Sequence, residues 1–104
     1  MTSFITRVEL HDAHRDHYVL LHAEMGKEGF RQTIKADNGV FYHLPPAEYE
    51  IDGDFTLQQV LDKAKRAAAK TNKTFEVLVT QSAGSMWVGL PVVQLAKGLA
   101  FGAR

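Results

Sequence analysis

The sequence predicts an α+β domain, a ferredoxin-like β-α-β-β-α-β sandwich with two helices on one face of a four-stranded antiparallel sheet. Three observations predict it. Residues 4–10 and 75–80 alternate apolar and polar side chains at the period of a half-buried strand. Two stretches, 18–25 and 57–68, repeat apolar residues at helical spacing. Between them "DNG" at 37–39 marks a tight turn of the kind that closes a hairpin. The domain is expected to span residues 1–84, and the apolar stretch 85–104 to be an added element, a dimer arm or a partly disordered tail.

In "FITRVEL" the residues Phe4, Thr6, Val8 and Leu10 share one parity, while Arg7 and Glu9 take the other. A strand with one buried face follows. The first helix comes next, with Asp12 or His14 as its cap and Tyr18, Leu21, His22 and Met25 as its packed stripe. Gly26 and Gly29 mark its end, Gly29 suiting a left-handed position. "FRQTIKA" reads as a second strand, turning at Asn38 and Gly39 into "VFYHL", which stops at Pro45 and Pro46. "AEYEID" is then either a further short strand or a continuation past an irregular bend.

Thr56 and Gln59 stand three apart as a capping box before the second helix. Its apolar stripe is Leu57, Val60, Leu61, Ala64 and Ala68. "KTFEVLVTQ" supplies the last strand, with Phe75, Val77 and Val79 on one side.

The composition removes several classes of function. With no cysteine, disulfides, thiolate metal sites and cysteine nucleophiles are excluded. The N-terminal "MTSFITRVELH" has no basic leader or long apolar run, and Gly89, Pro91, Gln94 and Lys97 interrupt the apolar C-terminal stretch. A cytoplasmic protein without a membrane span is expected.

Twelve basic residues balance twelve acidic ones, which weakens the argument for a sequence-independent nucleic-acid binder held mainly by phosphate neutralisation. Their distribution is uneven. Lys63, Arg66, Lys70 and Lys73 follow a 3-4-3 spacing that lays one basic stripe along the second helix. A nucleic-acid backbone could lie along it; a solvated helix face is the plainer reading. Phe30, Phe41, Tyr42 and Tyr49 could stack on bases or build the core.

Four of the five histidines fall in "HDAHRDHYVLLH", residues 11–22. A zinc site needs three or four converging ligands, and one strand end plus one helix cannot bring His11, His14, His17 and His22 together. No metal site is therefore expected from them, although Asp12, at the strand-to-helix junction, could take a weak Mg²⁺. In a two-fold dimer Asp12 could also face its symmetry mate. A cap, solvent-facing His14 and His17, and a half-buried His22 form the plainer reading.

"FITRVELHD" ending in an aspartate, "YVLLHAEM", the opening "GF" and the closing "ADNG" together resemble the GhoS-type antitoxins, endoribonucleases of type V toxin–antitoxin systems. The resemblance covers about residues 4–80. It implies a ferredoxin-like fold of the kind found in small CRISPR-associated nucleases, and selective cleavage of a toxin messenger RNA. Asp12 matches the strand-end aspartate of that fold group, while His22 stands where the family's namesake carries an arginine. Catalytic roles are accordingly expected of Asp12, His22, His17 and Arg7, with Lys63, Arg66, Lys70 and Lys73 holding single-stranded RNA. The partners expected are RNA and a second copy of the chain, with no DNA and no membrane. The other function class is a non-enzymatic regulatory or protein-interaction module of the same fold.

Overall fold

The computed structural model describes residues 2–94. Within them the chain is α+β, running β1 (Thr2–Leu10), α1 (Arg15–Lys27), β2 (Thr33–Lys35), β3 (Phe41–His43), β4 (Glu48–Gly53), α2 (Leu57–Ala69) and β5 (Phe75–Ser82). Three strands form an antiparallel sheet in the order β4-β1-β5, and β2 and β3 form a separate hairpin. The single four-stranded sheet expected from the sequence is thus divided. Only one isolated bridge, Arg31 to Glu50, ties the segment before β2 to β4.

The division has a local cause. Pro45 and Pro46 cannot donate ladder hydrogen bonds, and Ala47 takes a positive φ of 70°. The strand at 41–43 therefore ends, and a new one begins at Glu48 on the other side of the bend. In the hairpin Gly39 takes φ 88°, while Asn38 contributes differently from expectation, its Oδ1 accepting from Val40 N–H at 3.0 Å.

Alternation along β1 buries Phe4, Thr6, Val8 and Leu10. Apart from Thr6, these residues share one cluster with Tyr49 and Ile51 of β4, Leu21 and Met25 of α1, and Val60, Ala64, Ala67 and Ala68 of α2. The alanines leave α2 a flat face that can lie close to its neighbours. Thr56 Oγ1 accepts from Gln59 N–H at 3.1 Å, and Gln59 Oε1 accepts from Thr56 N–H at 2.8 Å, so the box sets where α2 begins. Ser3, Ile5, Arg7 and Glu9 lie on the opposite face of the sheet, which neither helix covers.

After β5 the chain turns back over that second face. Tyr42 and Val92 form an antiparallel bridge, with His43 N–H donating to Pro91 O at 2.8 Å and Val93 N–H to Phe41 O at 2.9 Å. Part of the apolar tail thereby lines the hairpin edge; positions 95–104 of that tail lie outside the described residues. No helix among the described residues is long and apolar enough to cross a membrane.

Candidate functional site

The turn between β1 and α1 is fixed from both sides. His11 N–H donates to Thr74 O at 2.9 Å, and Leu10 N–H donates to the Tyr18 hydroxyl at 3.0 Å. Asp12, next in the chain, has φ 50°, a left-handed conformation that is incompatible with the extended backbone of a helix cap. The cap is His14, whose backbone N–H donates to His17 Nδ1 at 2.9 Å. The two imidazoles stack with centroids 5.7 Å apart. Relieved of capping, the Asp12 side chain is exposed and enters none of the ion pairs among the described residues.

The other histidines of the cluster go elsewhere. His11 Nε2 lies 3.6 Å from a Glu76 carboxylate oxygen on β5. His22, on the inner side of α1, places Nδ1 2.6 Å from the hydroxyl of Tyr49, a residue only 1% exposed. Burial pushes the His22 imidazole below its ordinary pKa. Burial, and then the neighbouring Tyr18, push the Tyr49 phenol upward. Both groups are therefore neutral near pH 7, and one hydrogen bond joins the phenol to Nδ1. Only Nε2 of His22 is left for chemistry.

Arg7 is on the outward face of β1, where it pairs with Glu48 at 3.6 Å and Glu9 at 4.0 Å. The sheet therefore separates it from α1. Asp12 and His17 share the β1–α1 turn, His22 sits farther along α1 on its packed side, and Arg7 does not join them.

The basic stripe is also split. Glu28, immediately after α1, receives Arg66 Nη2 at 3.0 Å and Arg66 Nε at 3.2 Å, with Lys63 Nζ at 3.9 Å. Hydrogen bonding from Arg66 holds the Glu28 carboxyl below the usual carboxylate range, and the same contact raises Arg66. Lys63 also lies over the Phe55 ring, 5.1 Å from its centroid. Lys70 caps the end of α2 and Lys73 follows in the next turn, and neither enters an ion pair among the described residues. Glu28 was not singled out in the sequence, because its partners lie 38 and 35 residues away in the chain.

A second feature escaped the sequence reading. A cleft of about 630 Å³ opens between the sheet's uncovered face, the hairpin and residues 83–87. Its wall includes Trp87, which stands edge-on to Tyr42 with centroids 5.3 Å apart. The one available hint was that Trp87 is the only tryptophan in the chain.

Among the described residues no three His, Asp or Glu side chains gather as a metal-holding group. No protein-family model matches the chain, and comparison with curated proteins finds no match.

Proposed function

We propose that the chain is an RNA-acting antitoxin of the GhoS type, with a ferredoxin-like arrangement and a working end at the β1–α1 turn. The observation that carries this reading is Asp12, an exposed carboxylate in a left-handed turn directly after the central strand. The strand order also supports it. With β1 between β4 and β5, and Arg31 bridged to the far side of β4, the strand-forming segments follow the ferredoxin sequence of positions. A divalent ion at Asp12 would draw its remaining ligands from RNA phosphates or from a second copy of the chain. The outer edge of β5, unpaired among the described residues, is the natural surface for a two-fold dimer in the cytoplasm.

The second reading, a non-enzymatic interaction module, is favoured by the engagement of Lys63 and Arg66 with Glu28. Binding of labelled single-stranded RNA across a salt series separates the two. On the RNA reading, Lys70→Ala with Lys73→Ala flattens the dependence of log K on log salt by about 1.4, two contacts at about 0.7 each. Glu28→Gln, which releases Lys63 and Arg66, steepens it and tightens binding. Absence of RNA binding at low salt in all three proteins leaves the interaction module.

A further inference from the structure

The cleft beside Trp87 is built around one carboxylate. Glu50 has a side chain only 12% exposed, and it lines the cleft from the middle of β4. Ser3 Oγ donates to its Oε2 at 2.9 Å, and Arg31 Nη2 donates to its Oε1 at 2.9 Å. Arg31 is itself held by Asp52, also at 2.9 Å. A carboxylate has about four lone-pair positions, so one acceptor position remains on each oxygen after these two bonds. The group is thus oriented, partly desolvated and left with an acceptor position on each oxygen.

Apolar side chains form part of the wall around it. Trp87 is set by its edge-on contact with Tyr42, and the nearly buried Ile34 lines the same cleft. Such a ring offers a face for stacking a planar ligand. The charged groups of the lining are Lys35, Asp37 and Glu50. One cation against two carboxylates is a poor seat for a phosphate. It suits a neutral planar group whose phosphate stays outside.

We infer that this cleft seats a guanine base, stacked on Trp87 with its N1–H and N2–H donating to the Glu50 carboxylate. Guanine is the base whose pairing edge presents two adjacent donors. Adenine and cytosine would turn a ring-nitrogen lone pair toward the carboxylate, and uracil offers one N–H between two carbonyls. An arginine side chain has a similar donor pair, but it would place a second guanidinium beside Arg31 and near Lys35. The inference deepens the RNA reading proposed above, and it covers a free guanosine nucleotide as well as a guanine in RNA.

Trp87 is the only tryptophan, so its fluorescence reports on this cleft and on the apolar pocket that it also lines, and Glu50, which lines only the cleft, tells the two apart. Guanosine added to the full chain should quench it saturably, and inosine, which lacks the N2 amino group, should bind about tenfold more weakly. Glu50→Gln should abolish that difference, with circular dichroism used to check the fold. If that variant does not fold, Trp87→Leu, outside the Ser3–Glu50–Arg31 network, should weaken a labelled RNA carrying one guanine and its inosine counterpart alike, with the preference for guanine kept. Anisotropy of those two RNAs separates the sources of the base. Guanosine binding with no RNA binding keeps the seat and removes the RNA reading. RNA binding that ignores guanine and leaves Trp87 unquenched overturns the seat and keeps the RNA reading. Quenching by an arginine peptide but not by guanosine overturns the seat as well.

Discussion

Tyr49→Ala should lower the unfolding free energy by about 3–5 kcal/mol, the range for emptying a large aromatic from a packed core. The loss would be read from urea denaturation with an unchanged slope. Tyr49 is the second residue of β4, opposite Thr6 of β1, with Phe30 edge-on at 6.3 Å and His22 at 5.7 Å between ring centroids. Removing its ring opens a void against both α1 and the sheet. Tyr49→Phe keeps the ring and deletes only the hydroxyl. Its cost should be about 1–2 kcal/mol, because His22 Nδ1 then loses its hydrogen-bond partner in a half-buried place.

The same pair gives stability a pH dependence. In the folded chain the His22 imidazole is harder to protonate than in the unfolded chain, because burial penalises the cation. Unfolded chains thus bind more protons as pH falls past the ordinary imidazole value of 6.5. The His22 contribution is complete above that pH and is lost as pH drops through the lower folded value. His22→Gln should flatten the denaturation midpoint between pH 7 and the acid limb, relative to wild type.

What could be read from the sequence was local. The alternation from Phe4 to Leu10 is β1, and the Thr56–Gln59 pair stands where α2 starts, because both depend on neighbours within a few residues. The cap of α1 was harder. Asp12 has a better capping side chain than His14, yet the pairing of His11 with Thr74 pins the strand end and leaves Asp12 in the turn. Contacts between distant segments left no local trace. Glu28 with Arg66, Arg31 with Glu50 and Asp52, and Tyr42 with Trp87 each join pieces of chain that periodicity treats separately. So the stripe could be drawn from spacing, but its partial neutralisation could not. The cleft likewise depends on where residues 83–87 return, and nothing within that stretch specifies its target.

On the proposed reading, Asp12→Asn should lower the RNA-cleavage rate by about 10²- to 10⁴-fold while leaving RNA affinity within a factor of two. Asparagine is the informative replacement at this position. It keeps the size of the side chain and tolerates the φ of 50° that most residues resist, so the turn survives and only the negative charge is lost. Alanine would add backbone strain and blur the result. His22→Gln gives the contrasting measurement, since His22 Nδ1 already bonds Tyr49 and only Nε2 could transfer a proton. If Asp12 acts through a divalent ion, wild-type cleavage is restored by Mg²⁺ after chelation and Asp12→Asn is insensitive to it. Should cleavage instead vanish in His22→Gln and persist in Asp12→Asn, proton transfer belongs to the imidazole. Its rate would then follow pH through an imidazole ionisation lowered by burial. Equal cleavage in all three proteins would remove both Asp12 and His22 from the chemistry.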